Sequence, residues 1–255
     1  MEEIIKNLFI VCPLVFIAGF VDAVAGGGGL ISLPAYMMTG MPIHMAAGSN
    51  KFSASCGTII AAGKYIKSGK IKWKIAIYSA IGAIIGSTIG TKLALYISEK
   101  HLKVLMLVAL PLVALFIMTQ KNLGEQLEER SLGAIKLISL SGMIGVIIGC
   151  YDGLIGPGTG TFMILGFSGL LGLDLVTSSG CAKVSNLASN LTSVVLYFIE
   201  GKVIFILAIP AAVCSIVGAY MGAKFAIKGG AKKVRYVIFV VIGLLFVKLL
   251  YDLLM

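Results

Sequence analysis

GFVDAVAGGGG, from Gly19 to Gly29, and GCYDGLIGPGT, from Gly149 to Thr159, read as one motif written twice. Gly19, Asp22, Gly26 and Gly28 stand opposite Gly149, Asp152, Gly156 and Gly158 at a constant offset of 130 (149 minus 19). Both stretches close a long hydrophobic run, and neither is suited to continuing a helix. Four consecutive glycines, Gly26 to Gly29, would cost a helix about 1 kcal/mol per residue relative to alanine. In the second copy Pro157 has no N–H to donate and restricts the residue before it. Each copy therefore predicts a break, with glycines free to take backbone angles closed to other residues.

Outward from the breaks the likeness continues. GSNKFSAS from Gly48 aligns with GCAKVSNL from Gly180, pairing Lys51 with Lys183 and Ser53 with Ser185 at an offset of 132 (183 minus 51). Tyr65, Gly69, Lys70, Gly86, Gly90, Lys92 and Lys103 then fall opposite Tyr197, Gly201, Lys202, Gly218, Gly222, Lys224 and Arg235. A tandem duplication is read over nearly the whole chain.

The medium around these repeats follows from composition. Of 255 residues 58% are hydrophobic and 13% charged, and mean hydropathy is +1.03; a soluble domain is about one quarter charged. Runs of the roughly 20 apolar residues that span a bilayer are expected at 4–24, 43–66, 74–97, 102–119, 132–155, 175–199, 203–227 and 233–254. Shorter pieces at 30–40 and 160–172 follow the glycine clusters, as re-entrant or half-helix segments do. The fold class is an all-α polytopic membrane protein: two homologous repeats of four long helices plus one short re-entrant or broken half-helix each, giving 8 to 10 membrane segments. The repeats occupy 1–119 and 132–255, and the polar stretch QKNLGEQLEERS at 120–131 links them.

A net charge of +10 raises nucleic acid as a partner, but the cations gather between hydrophobic runs, where headgroups or cytoplasm meet them. The lipid bilayer is the expected partner, nucleic acid is not, and a homo-oligomer is left open. With eight crossings, Lys64 to Lys74 and Lys224 to Arg235 fall on opposite sides. If each short segment adds a crossing, the repeats are inverted and both clusters fall on one side, as the positive-inside rule prefers. Ala23-Val24-Ala25 has the form of a signal cleavage site, yet Glu2 and Glu3 outweigh Lys6 and the pattern recurs mid-chain, so the segment is read as part of the mature protein.

Chemistry concentrates at the breaks. Asp22 and Asp152 lie in apolar runs, where an ionised carboxylate needs a partner or water; they are read either as coupling or gating groups or as caps on freed amides. A half-helix starting after each break would point bare N–H groups and its positive end at the break, a site for an anion. The candidates for holding it are Gly26, Gly27, Gly28 and Gly29, then Asn50, Lys51 and Ser53, with Gly156, Gly158 and Thr159 and with Lys183, Ser185, Asn186 and Asn190 from the second half. Lys51 and Lys183 would neutralise the anion, pair with Asp22 or Asp152, or do both in alternation, and their rival role is snorkelling to the interface; the rival for glycines such as Gly82, Gly86 and Gly90 is close helix packing. His44 is expected at the interface and Glu200 in a charged turn. The five cysteines lie singly in apolar stretches, and no nucleophile motif, nucleotide loop or metal-ligand spacing is present. No catalytic residue, metal or cofactor is expected, and no enzyme; coupling to H+ or Na+ remains open.

The paired breaks, the duplication and AGGGGLISLPAYMMTGMPIHMAAGSNKFSASCGT, from Ala25 to Thr58, resemble the sulfite exporter TauE/SafE family, also described as toluene sulfonate uptake permeases. The resemblance implies a secondary transporter of sulfur-containing or organic anions, such as sulfite, sulfonates or sulfoacetate, in a bacterial or archaeal inner membrane as a multi-pass protein. Export by alternating access is the expectation, which an inside-negative potential alone would drive for an anion. The alternatives are a cation-coupled importer of another small solute and a non-transporting scaffold. Pro157 and Thr159 stand where Gly27 and Gly29 do, so the half-sites are expected to be unequal.

Overall fold

The computed structural model describes residues 2–105, 108 and 133–254, with side chains through 230 and at 234, 236 and 237. The expected span at 102–119 beyond its first residues, and the linker at 120–131, lie outside these. Among the described residues the regular structure is helical: α1 Glu2–Ala25, α2 Gly29–Met37, α3 Ile43–Lys67, α4 Trp73–Tyr96, α5 Ala134–Leu154, α6 Thr159–Leu171, α7 Leu175–Ile199 and α8 Phe205–Leu254. The last is broken at Gly230 (φ 66, ψ −168), between the spans expected at 203–227 and 233–254.

α1, α4, α5 and the Phe205–Gly230 part of α8 are long and apolar enough to cross a membrane. α3 and α7 have 25 residues each but carry Ser and Asn side chains that are buried, together with the buried Lys51 and Lys183. The protein thus puts polarity inside and apolar side chains outside. On α4, Ile77, Ile81, Ile84, Ile85 and Ile89 are exposed while Gly82, Gly86 and Gly90 face inward, the pattern of a helix with lipid on one side and protein on the other. The chain is a multi-pass membrane protein.

Small residues set the packing. A Cβ on Gly86 would sit 2.1 Å from the Val146 carbonyl oxygen, and one on Gly90 2.0 Å from that of Cys150, so α4 lies along α5 almost backbone to backbone. α8 meets α1 in the same way, Gly218 against Phe16 and Gly222 against Phe20. These contacts correspond at the offsets of 132 and 130 read from the sequence.

Directions follow from the contacts. α2 turns back along α1: Gly28 approaches Ala18 and Asp22, whereas Leu33 and Tyr36 share an apolar cluster with Val15 and Val11. α3 therefore starts beside the early part of α1 and runs with it, the Tyr65 hydroxyl donating to the Ala23 carbonyl at 3.0 Å near their far ends. α3 and α7 run antiparallel. Gly48, early in α3, packs on the carbonyl of Lys202 beyond the end of α7; Gly180, early in α7, packs on that of Lys70 beyond the end of α3. The Ile204 amide donates to Ser49 Oγ (2.9 Å) and the Lys72 amide to Cys181 Sγ (3.4 Å), pinning the same two junctions. α8 runs with α3, Phe205 meeting Phe52 and Tyr220 lying under Lys64. The lysines of 64–74 and Lys224 and Lys228 therefore share one end of the molecule.

Candidate functional site

α1 ends because Gly26 turns left-handed (φ 78) after its amide bonds the Asp22 carbonyl at 2.8 Å. α5 ends similarly, the amides of Ile155 and Gly156 both reaching the Tyr151 carbonyl, with Gly156 at φ 91. The second break then needs one more left-handed residue, Gly158 at φ 85, where Gly28 stays at φ −58. Pro157, with its own φ fixed and no amide to offer, stands between the two left-handed glycines, and the Tyr151 hydroxyl donates to its carbonyl at 2.5 Å. The two breaks touch. A Cβ on Gly26 would lie 2.2 Å from the Gly160 carbonyl carbon, so the starts of α2 and α6 meet at the centre.

The hydrogen bonds at the first break leave from the amides of Gly26, Leu30, Ile31 and Ser32. Those of Gly27, Gly28 and Gly29 find no carbonyl among the described residues, as the first turn of any helix leaves its donors free. At the second break the amides of Gly158, Gly160 and Thr161 are in the same position. A cavity of about 570 Å³, counted out to its mouth, opens at this point. All the candidates named from sequence line it except Gly27, Gly158, Lys183 and Ser185.

The charged groups pair across the halves. Lys51 Nζ lies 2.7 Å from Asp152 Oδ2, and Lys183 Nζ 2.7 Å from Asp22 Oδ2. Neither lysine snorkels: Lys51 is 7% and Lys183 0% exposed. Each aspartate meets the other half's lysine rather than serving as a cap, so four charges, three of them buried and Asp22 partly exposed, cancel in two pairs. What stays uncompensated is the positive end of each half-helix with its free amides.

The asparagines extend one pair only. Lys51 also donates to Asn190 Oδ1 (3.0 Å), and Asn190 Nδ2 to Asn186 Oδ1 (3.1 Å). In register, Asn186 and Asn190 correspond to Ala54 and Thr58, so Lys183 has no such relay. Ser185 points away, its Oγ donating to Ser79 Oγ (2.8 Å). Ser53 accepts from the Tyr36 hydroxyl at 3.0 Å and donates to the Asn50 carbonyl. Asn50 Oδ1 is buried with no hydrogen-bond partner among the described residues.

Sequence reading missed Ser189, whose Oγ lies 2.5 Å from Asp152 Oδ2; its counterpart in register is Gly57, so the duplication gave no signal. It also missed Asp174, which caps α7 by accepting from the amides of Val176 and Thr177. His44 is buried rather than interfacial, its Nε2 3.0 Å from the Ala94 carbonyl oxygen. Glu200 is exposed in a turn closed by Gly201 at φ 63.

The family described as "Sulfite exporter TauE/SafE" matches residues 11–249. A probable membrane transporter protein of Haemophilus influenzae is 33% identical over 93% of this chain and 92% of its own length. The probable membrane transporter YfcA of Escherichia coli K12 is 31% identical over 98% and 95%, and YdhB of Bacillus subtilis 26% identical over 82% and 84%. No solved structure matches. Match length, apolar helices and paired breaks agree: this chain belongs to the sulfite exporter TauE/SafE family of transmembrane transporters.

Proposed function

We propose that the protein is a secondary transporter that exports small sulfur-containing or organic anions, of the sulfite, sulfonate or sulfoacetate type, across a bacterial or archaeal inner membrane by alternating access. Its halves are read as inverted repeats whose breaks form one substrate site, with Asp22 and Asp152 in coupling or gating. The observation that carries this reading is the meeting of two half-helix starts at a cavity whose carboxylates are already paired with lysines. Unpaired carboxylates would draw a cation. Paired ones leave the helix ends, the free amides and the remaining N–H of Lys51 as the attraction, and all of these suit an anion. Antiparallel α3 and α7, each preceded by a broken segment, supply the two-sided frame that alternating access uses.

The test is efflux from proteoliposomes loaded with labelled sulfite or methanesulfonate. Efflux is expected, with at least a tenfold reduction in Lys51→Ala and Lys183→Ala. Uptake that demands an inward Na+ gradient would favour the cation-coupled importer, and no movement of any anion would favour the scaffold.

A further inference from the structure

The two ion pairs have equal lengths and unequal surroundings. Lys51 lines the cavity, and among the described residues only two of its three N–H groups are engaged, by Asp152 and Asn190. Lys183 is fully buried and stands off the cavity, while its partner Asp22 is about a fifth exposed. Asp152 is only 2% exposed. An anion entering the cavity therefore competes for Lys51 and not for Lys183. Asn50 lines the same cavity and is more than nine-tenths buried, and its Oδ1, an acceptor, has no hydrogen-bond partner among the described residues.

Once an anion holds Lys51, Asp152 keeps only Ser189 Oγ. From α3 it faces Lys51, and from α7 Ser189 and the phenol of Tyr197; on its own helix Tyr151 adjoins it. The residues of α4 nearest this turn, Ser87 and Thr91, are uncharged, and α6 contains no charged residue. A buried carboxylate stripped of its cation is costly, and it escapes the cost by binding a proton.

Building on the anion reading above, we propose that Asp152 is the proton-coupling residue of the site: each anion that takes Lys51 from Asp152 brings one proton onto Asp152. The Lys51 N–H···O contact to the carboxylate is exchanged for one to the anion, and a proton from bulk water forms the carboxyl O–H. Nothing is oxidised or reduced. A monovalent anion such as methanesulfonate and its proton together add no net charge, so the site occupied by one is as neutral as the empty one. Flux then follows the substrate gradient and the pH difference, and the membrane potential loses its hold on it. Asp22 does not take this part, because its lysine is out of the anion's reach.

The experiment uses purified full-length protein in weak buffer near pH 7 with a pH dye and, as probes, methanesulfonate and sulfoacetate, whose own groups do not titrate there. Calorimetry counts bound anion and the dye counts protons. The expected result is about one proton taken up per anion bound, retained in Asp174→Asn, which keeps a capping side chain far from the cavity. Asp152→Asn is expected to bind with no uptake. Ser189→Ala, which keeps both charges but removes a donor to the carboxylate, is expected to take up protons to higher pH. Binding by the wild type without proton uptake overturns the proposal and spares the anion site, as does full uptake in Asp152→Asn. Should Asp152→Asn fail to fold, an unchanged pH limit in Ser189→Ala overturns it. If the folded wild type binds neither probe, the anion reading falls and the proposal with it.

Discussion

Gly26 and Gly40 share a left-handed backbone, φ 78 and φ 76, but not their surroundings: a Cβ on Gly26 would strike Gly160, whereas one on Gly40 meets nothing within 4 Å. Gly40→Ala should cost about 1–2 kcal/mol, the left-handed penalty alone, and lower the melting temperature slightly. Gly26→Ala should leave little folded protein in the same assay. The lysine pairs give a second ordering. Asp22→Asn strands a fully buried ammonium and should cost about 3–5 kcal/mol; Lys183→Met leaves Asp22 partly hydrated and should lower the melting temperature less. How far such detail is readable varies by residue. The repeat offsets name the aspartates and lysines, but not that each pairs across the halves, since that depends on how the halves meet. Ser185 had the right spacing and faces Ser79 instead, and Ser189, one serine among several on α7, carried no mark of its contact with Asp152.

Among the elements, α4 and α5 lie so close that no side chain separates them at Gly86 and Gly90. Gly86→Ala must push the helices apart and should destabilise by about 1–3 kcal/mol. Gly63→Ala, just before the last turn of α3 with open space around it, should instead stabilise by about 0.5–1 kcal/mol, so thermal unfolding should move in opposite directions. The four-residue glycine spacing on α4 announces close packing, yet nothing in it says that α5 is the neighbour. α3 and α7 are the elements a hydropathy reading weighs least, and they hold the centre because their polar residues need burial beside one another.

For the whole molecule, the short α2 decides how the rest is arranged. Because it returns along α1, α3 and α8 run one way and α7 the other, and the lysines of 64–74 share an end with Lys224 and Lys228. By the positive-inside rule that end is expected to face the cytoplasm. In a cysteine-free background, Lys70→Cys and Lys228→Cys should react with an impermeant maleimide only after the membrane is opened, whereas Glu200→Cys should react in intact cells; labelling of all three from one side would refute the arrangement. Hydropathy could not make this choice, because α2 is too short to be counted and the count sets the handedness of everything after it.

The contact between Gly26 and Gly160 has a genetic consequence. An overlap in a protein core can often be relieved by a second mutation that trims the neighbour, but here the neighbour is already the smallest residue there is. A screen for intragenic suppressors of Gly26→Ala should therefore return true revertants and no compensating change at position 160, and the same holds when the first lesion is at Gly160.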